Sequence, residues 1–106
     1  DLVMRYMRAH LEGIALFNKN PEFAKKVIKK MLRLDDDSLA QESWELFAKH
    51  RLAAPYPNIK GMKTSYDYVA MTRPDISKHK PEEFVDSSFV EELDKSGFIK
   101  KLYDAK

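Results

Sequence analysis

Cysteine is absent from the 106 residues, which excludes disulfides and thiolate metal sites. Glycine and proline are scarce, three and five residues, and the prolines stand between stretches of apolar periodicity. Helices joined by short connections fit that distribution. No apolar run approaches the roughly 20 residues needed to span a bilayer, and no signal peptide is visible. Neither sign of charge dominates: 19 Lys and Arg against 17 Asp and Glu leave a net +2. The signs are interleaved, so a nucleic-acid surface is not expected. What is present is a composition 43% hydrophobic and 34% charged, that of a globular protein rather than a disordered one. The length favours one domain. The chain opens at Asp1 and runs at once into an amphipathic pattern. The expectation is a start inside a longer protein, in which case the missing targeting signal says nothing of location.

Apolar residues recur at helical steps from Leu2 to Phe17 through Val3, Met7, His10/Leu11 and Ile14. Gly13, inside that run, is expected to admit a closely packed neighbouring helix. Asn20-Pro21 restarts a helix, with Asn20 as cap and Pro21 in the first turn. Phe23, Ala24, Val27, Ile28, Met31 and Leu32 are its expected buried stripe. Lys25, Lys26, Lys29, Lys30 and Arg33 form a solvated opposite face rather than a phosphate or lipid site. Asp35-Asp36-Asp37 precedes a third helix, in which Ser38 and Gln41 fit a capping box. Leu39, Ser43, Trp44, Leu46 and Phe47 carry this helix to about His50. The spaced ligands of a calcium loop are missing. Residues 53–58 are extended around two prolines. Asn58 is placed to cap a fourth helix with an apolar face of Ile59, Met62, Tyr66, Val69 and Ala70, ended by Arg73-Pro74. A polar connection over 75–80, a single turn at 81–84 and a fifth helix capped by Asp86 follow. Gly97 is expected to be left-handed, ahead of a last short turn through Phe98, Ile99, Leu102 and Tyr103. The fold class expected is all-α, about five helices and a short C-terminal turn in one region, 1–106.

No catalytic or metal-ligating set stands out. His10, His50 and His79 have no helical pair spacing. His79, Asp86, Ser87 and Ser88 lack a nucleophile elbow or an oxyanion loop, and a cap is a sufficient task for Asp86. Adjacent carboxylates such as Glu82-Glu83 and Glu91-Glu92 do not face each other on a helix. Trp44, Tyr56, Tyr66 and Tyr68 fit core and rim packing better than a cleft lining.

Ordered motifs suggest more. Arg8-Ala9-His10-Leu11-Glu12-Gly13-Ile14 comes first, then Asn20-Pro21-Glu22-Phe23-Ala24, then Tyr56-Pro57-Asn58-Ile59-Lys60-Gly61. The most specific stretch is Pro81-Glu82-Glu83-Phe84-Val85-Asp86-Ser87-Ser88-Phe89-Val90-Glu91-Glu92-Leu93, followed by Ser96-Gly97-Phe98-Ile99. Together they resemble the C-terminal region of solute-binding proteins of the nitrate/sulfonate/taurine group, which includes binders of thiamine-pyrimidine precursors. The resemblance covers nearly the whole chain. It implies a parent of two α/β lobes, the type II periplasmic-binding-protein fold, closing on a small solute and presenting itself to an ABC permease outside the cytoplasm, with a lipid anchor as one mode of attachment. It implies that these helices brace one lobe and that solute is held mainly by lobes outside this sequence. It carries no solute-contacting residue, metal, cofactor or catalytic group onto this chain. Without those lobes, exposed apolar stripes are expected to drive self-association.

Two other classes stay open. A free-standing helical interaction module would show the same amphipathic faces and read a partner helix through anchors at helical spacing. A pyrimidine-precursor synthase shares the two-lobed fold, with its chemistry again outside these residues.

Overall fold

The computed structural model describes residues 1–104. Among them no strand occurs. Six α-helices run α1 (Leu2–Lys19), α2 (Pro21–Leu32), α3 (Asp37–His50), α4 (Ile59–Thr72), α5 (Ser88–Lys95) and α6 (Phe98–Asp104), with 3-10 turns at Pro74–Lys78 and Pro81–Phe84 between α4 and α5. The all-α class is therefore as expected. The last apolar stretch is a full short helix, and the polar connection after Arg73 coils into the first 3-10 turn, begun by Pro74 with its fixed φ.

Side chains start most of these helices by satisfying amides that have no partner within the helix. Asn20 accepts the Phe23 N–H at 3.0 Å with Pro21 in the first turn, and Asn58 accepts the Gly61 N–H at 3.0 Å. Asp36 caps α3, accepting the Ser38 and Leu39 N–H groups at 2.7 and 3.2 Å. The expected box of Ser38 and Gln41 does not form. Ser38 lies within the first turn, and the Gln41 amide donates to Glu45. A carboxylate two residues earlier reaches two amides and brings negative charge to the positive end of the helix dipole. Asp86 accepts the Ser88 N–H at 2.9 Å from one residue before the cap position, Ser87. Gly97 has φ +77° and turns the chain from α5 into α6.

The best-packed part joins the two ends of the described chain. Leu11 of α1 meets Val90 and Leu93 of α5 and Ile99 of α6, ringed by Met4, Met7, Phe98 and Leu102. Asn18 Nδ2 donates to the Tyr103 hydroxyl at 3.2 Å and Lys19 Nζ to the Leu102 carbonyl at 3.0 Å. The α2–α3 hairpin leans on α1 through α2, and the Trp44 indole N–H donates to the Phe17 carbonyl at 3.0 Å. Only Ala24, Ile28 and Ala40 are buried there. The expected six-residue stripe on α2 thus buries two of its members, while Phe23, Val27, Met31 and Leu32 are exposed.

The main packing of α4 is on the two 3-10 turns. None of its residues is fully buried. The radius of gyration is 17.3 Å, against about 13 Å for a compact domain of this length. The arrangement is open.

Candidate functional site

Apolar surface is the dominant feature. On α1, Leu2, Tyr6, Ala9, Gly13 and Leu16 are all exposed. At four- and three-residue steps they form one stripe, on the opposite side from Leu11, Ile14 and Ala15. Arg5, Arg8, Glu12 and Lys19 lie between the stripes. Gly13 does not mark a close helix approach: a Cβ placed on it meets nothing within 4 Å. It lies in the middle of the uncovered stripe. On α2, Phe23, Val27 and Met31 repeat every four residues beside the buried Ala24 and Ile28, and on α3 Leu39, Leu46 and Phe47 are likewise exposed. Among the described residues, α1, α2 and α3 thus each bury at least one apolar residue and leave other, large ones exposed.

Among the described residues, surface grooves between the elements include three of note. The first, between α2 and the start of α3, is lined by Lys25, Lys26 and Lys29 together with Glu22 and Asp37. Lys25 pairs with Glu22 at 2.8 Å, and Lys29 pairs with Asp37. The Lys29 hydrogen bond and charge hold the Asp37 carboxyl below its ordinary range and raise Lys29 in turn. The second lies against α4, among Val69, Arg73, Asp75, Ile76, His79 and Phe84. Here the Tyr66 hydroxyl is shared between the carbonyls of Ile76, at 2.7 Å, and His79. His79 Nδ1 lies 3.0 Å from Glu83, whose other oxygen accepts the Lys80 N–H at 2.8 Å. The Lys80 amide and then the His79 contact hold Glu83 below the usual carboxylate range. The third groove runs between α1, the end of α3 and the chain after it, among His10, Ile14, His50, Arg51, Leu52, Pro55 and Tyr56.

The structure brings together residues that the sequence keeps apart. His10 and His50 share the third groove, which their separation along the chain hides. His79 does not join Asp86, Ser87 and Ser88: its ring pairs with Glu83, and Asp86 serves the Ser88 amide and is lowered by those bonds. Of the aromatics singled out, Trp44 and Tyr66 are half-buried and bonded to carbonyls, and Tyr68 is exposed. Tyr56 lines the third groove while donating to Asp94 at 2.8 Å, which raises its phenol. No group of three His, Asp or Glu among the described residues is placed to hold a metal ion. No described helix is long and apolar enough to cross a membrane. No family model, curated protein or solved structure matches the chain.

Proposed function

We propose that this chain is the C-terminal helical segment of an extracytoplasmic solute-binding protein of the nitrate/sulfonate/taurine type, serving an ABC importer. Its role there is to brace one lobe while solute and permease are met mainly by the rest of that protein. The observation that carries the reading is the exposed apolar stripe on α1 together with the large exposed apolar side chains of α2 and α3. A face made of Leu2, Tyr6 and Leu16, or of Phe23, Val27 and Met31, has its natural use against a sheet or another helix. The ordered motifs lend independent support, because the most specific of them, residues 81–99, supplies α5 and the start of α6, which close on α1.

The test is the reading frame upstream of Asp1. A parent near ~300 residues, opened by a signal peptide and encoded beside permease and ATPase genes, is the expected result. A frame that starts at this segment would end the proposal. Sedimentation gives a second check: the isolated chain should self-associate, and a stable monomer at high concentration counts against it.

The heptad-like spacing of the α1 stripe favours one alternative, a helical interaction module that takes a partner helix on that face. Capture of one specific helical partner by this segment alone, from a gene with no upstream lobes, would establish it.

A further inference from the structure

We propose that the groove between α1, the end of α3 and residues 51–56 binds a small organic anion with a carboxylate-like head on an apolar body. It is the one among the three grooves without a lining carboxylate; Glu22 and Asp37 line the first and Asp75 the second. In those two, the basic groups are partly neutralised from within, by Lys25–Glu22, Lys29–Asp37 and Arg73–Asp75 pairs. In the third, His10, His50 and Arg51 have no carboxylate partner among the described residues.

Two of the three basic side chains of this groove lie against aromatic rings. The Arg51 guanidinium lies over the Phe17 ring, 5.0 Å from its centroid. The ring contact restrains the guanidinium, and no salt bridge uses its N–H groups among the described residues; a guanidinium fork suits a planar oxyanion. The His10 ring stacks on Tyr6, centroids 5.9 Å apart and 10° from parallel. The walls are apolar: Ile14, Leu52 and Pro55. Leu52 is 65% exposed, so a hydrocarbon body would cover apolar surface that water now meets. Asp94, not a lining residue, accepts a hydrogen bond from the Tyr56 hydroxyl. A volume of about 380 Å³ admits a small molecule and not a folded partner. The inference goes beyond the receptor reading and does not depend on it.

The test is NMR titration of the 106-residue chain with phenylacetate, with uncharged phenylacetamide and inorganic phosphate as separate arms. Phenylacetate should give saturable shifts at His10, His50 and Arg51, with roughly millimolar affinity for a ligand of about ten non-hydrogen atoms. The amide, which lacks charge, and phosphate, which lacks the apolar body, should each bind at least about tenfold more weakly. Arg51→Gln should weaken phenylacetate about tenfold with helix content unchanged by circular dichroism. Arg8→Gln, at the other cation–ring pair, should leave binding as it was. If Arg51→Gln loses helix content, His50→Gln replaces it, with a several-fold weakening expected. An unsaturable response, an equal response to the amide or to phosphate, or full affinity in the groove variant overturns the proposal.

Discussion

The α1–α5–α6 unit and the α4 unit are both helical and both held by contacts a few side chains deep, yet they rest on different physics. The first has a small dry core, with Leu11 1% and Leu93 2% exposed. The second has no fully buried residue in α4, and its closure relies on one phenol placed between two carbonyls, a histidine–glutamate pair and the His79–Phe84 ring contact. Non-directional burial tolerates small shifts but not lost volume. Directional hydrogen bonds near solvent tolerate lost volume but not a lost donor.

That contrast breaks most sharply at Leu93. Leu93→Ala should cost about 2–5 kcal/mol, a large share of any small domain's stability, while Met71→Ala on α4, 79% exposed, should stay within about 0.5 kcal/mol. Urea unfolding followed by circular dichroism separates the two. Tyr66→Phe should destabilise the α4 unit by about 1–3 kcal/mol, since both carbonyls lose their donor. Amide exchange should then quicken over residues 74–84 and stay unchanged in α1, α5 and α6. Gly97→Ala should lose about 1 kcal/mol, because an L side chain is strained at its positive φ; thermal melts read it.

Acid should produce the smallest change and act on both units. Glu83 and Asp86 have carboxyls held below their ordinary values by the Lys80 and Ser88 groups that donate to them. A depressed carboxyl adds stability that is present above its unfolded value, near pH 4, and is lost as pH falls through the lower folded one. Fraying should therefore begin at Pro81–Phe84 and the start of α5 below about pH 4. Amide shifts of Lys80 and Ser88 check this, and Asp86→Asn should flatten the response at Ser88 alone.

Local chemistry made the elements legible in the sequence. Asn20, Pro21, Asn58, Gly97 and the helical period need only their near neighbours to act, so helix identities and most ends could be read directly. The Asp36 cap was hidden by competition, since three successive aspartates and Ser38 all suit a helix start. What the period cannot tell is which half of a broad apolar arc is covered. Phe23 and Ala24 look alike as members of an α2 stripe, yet one is half-exposed and the other buried. Gly13 misled for the same reason: small size permits close approach without causing it. The third groove was illegible because His10 and His50 meet only through the folding back of α2 and α3, and no spacing rule links them.

Because Asn18 reaches Tyr103, 85 residues further on, the best-packed part of the molecule is the last to become available during synthesis. Until residues 88–104 leave the ribosome, α1 has no partner for Leu11, although the α2–α3 hairpin can already lean on it. Closing so long a loop carries an entropic toll that grows only slowly with length, but contacts so distant in sequence delay folding. The Leu11 side of α1 should thus stay uncovered while the residues between α1 and α5 are made.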